Sequence, residues 1–164
     1  TADLHTPTVD CRDMSELKTQ LETDMRTALK ARDKVTLGTL RMILAAIRNE
    51  EVAGRSPREL DDAEIVKVLV KQAKQRREAA EAFREAGREE SAEAELAEEA
   101  VIKRYLPEEL TEAELTALVR ATIDEGGFSG PKDMGKVMKA VQPKVAGRAD
   151  GKAVAAIVKA ELAG

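Results

Sequence analysis

One cysteine and one histidine occur among the 164 residues. A structural zinc site takes about four Cys or His ligands, so that class is excluded. Cys11 alone can close no disulfide within the chain. A Cys–His pair has a single candidate, Cys11 with His5, and both fall in a polar stretch over residues 1–13. That stretch reads as a tail, either a cloning remnant or an alternative upstream start. Met14-Ser15-Glu16-Leu17 behind it looks like a natural beginning. Without the tail the chain is free of Cys and His, as a reducing cytoplasm allows, and a cytoplasmic location is expected. Aromatic residues are also scarce: Phe83, Tyr105 and Phe128, with no Trp. β-Sandwiches and barrels draw on aromatic and β-branched residues, so both are disfavoured. No apolar run is long enough to span a bilayer, and none near the start resembles a signal-peptide core. A Walker-type phosphate loop, a G-x-S-x-G elbow and a usable nucleophile–His pair are all missing. No catalytic residue, metal or cofactor is therefore expected, nor any membrane partner.

Good helix formers dominate instead, chiefly Ala, Leu, Glu, Lys and Arg. The spacing predicts an all-α chain. Leu17, Leu21, Met25, Ala28 and Leu29 mark a first helix over 15–31. Asp33 is placed to cap a second over 34–52, with Leu37, Leu40, Ile43, Leu44 and Ile47 as its buried stripe. Asp61 and Glu64 have capping-box spacing for a third, whose apolar first turns give way to a charged, solvated stretch beyond Ala73. Gly87 breaks it, and a fourth helix runs from Glu89 to Tyr105 before Pro107. Thr111 and Glu114 box the fifth, and a loop with Gly126, Gly127 and Gly130 follows. Pro131 suits the first turn of the sixth, Pro143 bends or ends it, and Asp150 caps the seventh. The domain reading is an N-terminal helical domain of about four helices over 14–107, then a small three-helix domain over 111–164.

Charge is uneven along this chain of net charge −4. Residues 14–110 carry 18 basic and 21 acidic side chains, whereas 126–164 carry seven basic and three acidic. An acidic protein with a basic end points modestly to a polyanionic partner. Lys132, Lys136 and Lys139 share one helical face, away from the Met134/Val137/Met138/Val141 stripe. Lys144, Arg148 and Lys152 flank the bend and the turn behind it, so the six can converge on one patch. A second basic stripe, Lys67, Lys71 and Lys74 with Arg76 and Arg77, is interleaved with acids and reads as solvated. The doublets Glu50-Glu51, Asp61-Asp62, Glu89-Glu90 and Glu98-Glu99 also read as solvated surface, because neighbours on a helix point about 100° apart.

Several strings go beyond composition. They are Leu40-Arg41-Met42-Ile43 through Arg48-Asn49-Glu50; Lys74-Gln75-Arg76-Arg77 with Phe83 and Ala86-Gly87-Arg88; Tyr105-Leu106-Pro107 into Leu110-Thr111; and Asp133-Met134-Gly135-Lys136-Val137-Met138 with Gly147-Arg148-Ala149-Asp150-Gly151-Lys152. In this order they resemble the GatB/YqeY family, in particular the small stand-alone bacterial YqeY-like proteins. The resemblance covers Met14 to about Leu162. It implies an all-helical protein whose C-terminal part is similar to the tail domain of the B subunit of the tRNA-dependent amidotransferase. That enzyme amidates misacylated Glu-tRNA(Gln) or Asp-tRNA(Asn), and its tail domain helps hold the tRNA. The activity label this implies is carbon–nitrogen ligase with glutamine as amido-N donor. The kinase and glutaminase sites of that enzyme lie in parts with no counterpart here. What carries over is the tail motif of Gly135, Lys136, Met138, Gly147, Ala149, Asp150 and Val154: Gly135 for close approach, Met138 as core filler, Asp150 as a cap. The implied partner is tRNA or a tRNA-linked complex, held through its phosphates by Lys132, Lys136, Lys139, Lys144, Arg148 and Lys152. The alternative is a helical module that docks onto a protein and touches no RNA.

Overall fold

A computed structural model describes residues 15–145 and 147–164; the tail over 1–13, with His5 and Cys11, lies outside them. The all-α reading holds: the described residues form seven α-helices and one 3-10 turn, with no strand. The chain divides into two compact units, the first ending at Tyr105 and the second covering Leu106–Gly164.

Unit 1 contains α1 (Glu16–Ala31), α2 (Lys34–Val52), α3 (Asp62–Glu85) and α4 (Glu89–Lys103). Side-chain caps set the starts of α1, α2 and α3. Ser15 caps α1 by accepting from Lys18 N–H at 3.1 Å, and its hydroxyl also bonds Asp62. Asp33 caps α2, accepting from Thr36 N–H at 3.1 Å. Asp61 and Glu64 form the reciprocal box at the head of α3. α4 stops two residues before Tyr105. The residue before a proline is pushed out of the helical region, and Pro107 places that constraint on Leu106. The chain therefore tightens through i→i−3 bonds, Arg104 N–H to Val101 O and Tyr105 N–H to Ile102 O.

The core of this unit is aliphatic: Leu21, Leu40, Ile43, Ile47, Ile65, Leu69 and Ile102 are all essentially inaccessible. α3 and α4 share the most extensive helix–helix contact. Ala73, Ala80 and Ala92 are buried there, and small side chains let two helices approach closely. The second half of α3 is thus a half-covered seam rather than the solvated stretch its charge suggests. Leu29, placed on the buried stripe of α1 by its spacing, is instead 54% exposed.

The box at Asp61 supports a pH prediction. Arg58 grips the Glu64 carboxylate with two bonds of 2.9 and 2.6 Å, and Asp61 N–H adds a third of 3.1 Å. These donors, Arg58 first, lower the Glu64 pKa from 4.5 to about 2. A depressed carboxylate pKa favours the folded state above the ordinary value, and that contribution fades as pH falls from 4.5 toward 2. Carboxyl-carbon NMR titration should show Glu64 ionised down to about pH 2, and Arg58→Ala should return its midpoint toward the ordinary value. A wild-type midpoint near 4.5 refutes the grip.

Unit 2 contains α5 (Glu112–Gly126), a 3-10 turn (Pro131–Asp133), α6 (Met134–Val145) and α7 (Gly151–Ala163). Leu115 and Val119 of α5, Val137, Val141 and Val145 of α6, and Val154, Val158 and Leu162 of α7 form its core. Gly127 ends α5 in the left-handed conformation, φ 61°. Gly126 before it has a steric duty: a Cβ there would collide with the Phe128 ring. Pro131 starts the 3-10 turn, one step ahead of α6 itself. Pro143 does not end α6, which continues to Val145. Gly147 takes φ 80° in the turn that follows. Asp150 caps α7, accepting from Lys152 N–H at 3.4 Å.

Candidate nucleic-acid interface

The six basic residues singled out by sequence all lie in unit 2, but they do not behave alike. The core stripe of α6 is Val137, Val141 and Val145. At 3.6 residues per turn, Lys136 and Lys139 lie on the opposite side, Lys132 stands on the 3-10 turn just ahead of α6, and all three are exposed. Lys136 approaches Asp133 at 3.7 Å while 73% of its side chain stays in solvent. Exposed pairs of this kind contribute about 0–1 kcal/mol, so the ammonium remains available. Asp133 is itself held ionised, first by the Ser129 N–H at 2.9 Å. Lys139 and Lys152 make no ion pair among the described residues.

The other two are committed within the unit. Lys144 sits on the shoulder of α6 that faces α5. It donates to Thr122 Oγ1 at 3.1 Å and Glu125 Oε2 at 2.9 Å. Arg148 laces the turn before α7 to the segment leading into α5. Its Nε donates to Glu108 O at 2.9 Å, and its carbonyl accepts from Leu110 N–H at 2.7 Å. The outward cations are therefore Lys136 and Lys139 of α6 and Lys132 of the 3-10 turn before it, with Lys152 exposed at the start of α7.

The motif residues divide in the same way. Met138 and Ala149 pack against the valine core, Gly147 supplies the positive φ, and Asp150 supplies the cap. Gly135 differs from the packing role its type suggests. It is exposed, and a Cβ added there would meet nothing within 4 Å. It leaves bare backbone beside Lys132, Lys136 and Lys139.

Unit 1 holds a groove of about 300 Å³ lined by Asp24, Thr27, Asp33, Thr36, Arg104 and Tyr105, among others. Tyr105 OH donates to Asp24 Oδ2 at 2.6 Å. Burial, and then that carboxylate, push the phenol pKa above its ordinary value. Tyr105 is thus a protonated donor tying the end of α4 to α1, with no basic character. The two residues are 81 positions apart, and no local signal in the sequence joins them. Among the described residues no three His, Cys, Asp or Glu side chains are grouped to hold a metal ion, and no helix is long and apolar enough to cross a membrane.

The second basic stripe is largely neutralised. Arg76 lies 2.7 Å from Glu98, Arg77 bonds Glu99, and Lys74 approaches Glu78 at 3.9 Å. Glu99 overturns the reading of its doublet as solvated surface, since it is only 5% exposed. Its position on the α3-facing side of α4 brings it under Arg77.

The family model described as Yqey-like protein matches residues 18–162. The curated relatives matched are fungal. "Altered inheritance of mitochondria protein 41, mitochondrial" of Pyrenophora tritici-repentis is 33% identical over 132 residues, 79% of this chain and 71% of the relative. The protein of the same name from Lachancea thermotolerans is 30% identical over 145 residues, 87% of this chain and 76% of the relative. That of Clavispora lusitaniae is 36% identical over 90 residues, 55% of this chain, which spans about half (51%) of its length. The relatives' names correct the cytoplasmic expectation, since these are called mitochondrial proteins. Scarce Cys and His set no address: they show only that the chain needs no disulfides.

Proposed function

The chain belongs to the Yqey-like protein family, and on that premise we propose that it is a tRNA-binding accessory protein, related in role to the amidotransferase tail domain. The observation that carries this reading is the exposed set of Lys136 and Lys139 on α6 and Lys132 on the 3-10 turn before it, with the open backbone of Gly135 between them in sequence. Such a set suits phosphates, which demand charge and close approach but carry no sequence. With Phe83, Tyr105 and Phe128 as its whole aromatic complement, the chain is poorly equipped to stack single-stranded bases. Recognition by backbone and shape fits this inventory better.

Salt-dependent binding of tRNA to the full chain tests the reading. Each lost phosphate contact should reduce the slope of log K against log salt by about 0.7–0.9. Joint Lys132→Glu, Lys136→Glu and Lys139→Glu changes should therefore flatten it by about 2–3, with similar losses for unrelated tRNAs. The matching reversal of Lys67, Lys71 and Lys74 on α3 is the control. Gly135→Ala adds a second readout: it should raise helix stability by about 0.4–1 kcal/mol and yet weaken binding. Equal loss in the control, a salt-independent affinity, or no binding at low salt overturns the proposal.

The second reading, a protein-docking module without RNA contact, draws on exposed aliphatic side chains in unit 1: Leu29, Val35, Met42 and Val52. It predicts that none of the lysine reversals alters partner capture.

A further inference from the structure

Ion pairs occur in both units: Lys18 pairs with Glu51, Arg58 with Glu64, Arg76 with Glu98, Arg84 with Glu89, Arg120 with Glu161 and Lys144 with Glu125. The α1–α2 hairpin carries a run of cations outside such pairs. Between residues 26 and 48 there are six basic residues, Arg26, Lys30, Arg32, Lys34, Arg41 and Arg48, against Asp33 alone. All six are exposed, and none has an ion pair among the described residues. Asp33 is occupied as the α2 cap, its two oxygens accepting from Thr36 N–H at 3.1 Å and Thr36 Oγ1 at 2.6 Å.

Geometry makes a track of this charge. Lys34, Arg41 and Arg48 recur every seven residues, which keeps them on one face of a helix. That face lies opposite the buried Thr36, Thr39, Leu40, Ile43 and Ile47. At a rise of about 1.5 Å per residue, successive charges stand about 10.5 Å apart and the track is about 21 Å long. Gly38 and Ala45 lie between them on the same face, so the helix surface there is low and open. The track is prolonged around the hairpin by Arg32. This residue takes the left-handed conformation, φ 58°, ψ 28°, at the C-cap of α1, a position that ordinarily favours glycine. An arginine thus stands where a glycine would ease the backbone.

We propose that the α1–α2 hairpin is a second RNA-backbone surface, with Arg32, Lys34, Arg41 and Arg48 contacting spaced, non-adjacent phosphates. This rests on the RNA reading given above and adds a contact on unit 1. An RNA fits better than the other polyanionic or apolar partners. A protein interface centres on aromatic anchors and sheds charge from its middle, whereas this face has no aromatic residue and its charge runs end to end. A lipid surface needs a continuous bulky apolar face beside the cations; here the exposed Val35 and Met42 lie about a quarter-turn off the track, Val52 only at its far end, and the spacers between the cations are Gly38 and Ala45.

The experiment uses the full chain, tRNA and anionic phospholipid vesicles. Three variants are compared with wild type: Lys34→Glu/Arg41→Glu/Arg48→Glu, Arg32→Gly, and the α6 triple reversal. The hairpin triple should lower tRNA affinity at least about tenfold and flatten the salt slope by about 2–3, with an unchanged melting curve, since these side chains have no ion pair among the described residues to lose. Arg32→Gly should hold or raise the melting temperature while lowering affinity, an opposition that a structural role would not produce. If the α6 triple weakens binding but the hairpin variants do not, the hairpin proposal fails and the RNA reading stands. If wild type binds no tRNA, both fail. If the hairpin triple abolishes vesicle binding and spares tRNA binding, the surface belongs to lipid and the proposal is overturned.

Discussion

Glu99→Ala should destabilise the protein by about 2–3 kcal/mol, far more than loss of any other glutamate along α4. Glu99 is 5% exposed. Its Oε1 accepts from Arg77 Nε at 3.0 Å and Arg77 Nη2 at 2.7 Å, and Lys103 Nζ lies 3.3 Å away. One carboxylate thus serves two cations, Arg77 across the α3–α4 seam and Lys103 one turn further along α4. Breaking a buried ion pair from one side typically costs about 3–5 kcal/mol, because the remaining charge stays desolvated. The cations here are partly wet, with 35% of the Arg77 and 44% of the Lys103 side chain exposed. Water can re-solvate them in the variant, which brings the expected cost down. Glu89, whose pair with Arg84 is exposed on both sides, should cost less than about 1 kcal/mol on the same change. Urea midpoints at constant m-value measure both. A Glu99→Ala value within about 0.5 kcal/mol of wild type would remove the carboxylate from the seam.

Glu99 also shows where sequence reading stops. Helix starts were legible because capping is local: Asp33, Asp61, Thr111 and Asp150 each accept from an N–H two or three residues on. Much of the core was legible from period alone, as with Ile43 and Ile47, or Val137 and Val141. Glu99 was not, because its surroundings come from α3, and a glutamate doublet looks alike on any helix. Leu29 departs in the opposite direction: its spacing is right, but among the described residues nothing covers it. Lys144 and Arg148 looked like members of a basic patch, yet their partners Glu125 and Glu108 lie 19 and 40 residues away. The hairpin charge is legible only in a short window. Counting over residues 14–110 averages the excess at 26–48 against the acids of α4, and a window of about twenty residues exposes it.

The largest stability loss should come from Leu69→Ala, at about 4 kcal/mol. Leu69 is wholly buried on α3, and α3 contacts α1, α2 and α4. Leucine-to-alanine changes in cores cost about 2–5 kcal/mol, and the upper half applies where the walls cannot close on the cavity. Here closure is opposed on each side. The seam toward α4 is already at close approach, since its buried residues include Ala73, Ala80 and Ala92, and α1 and α2 are tied by the short turn at Arg32 and Asp33. No aromatic side chain is buried in unit 1 to swing into the gap. For a unit of this size about 4 kcal/mol corresponds to a fall in melting temperature of about 15 °C or more. Leu69→Met, which keeps the volume, should cost less than about 1.5 kcal/mol. Leu29→Ala is the matched surface control and should stay within about 0.5 kcal/mol. If the Leu69 and Leu29 variants melt together, α3 is not packed as described; if Leu69→Met is as costly as Leu69→Ala, shape rather than cavity volume governs the site.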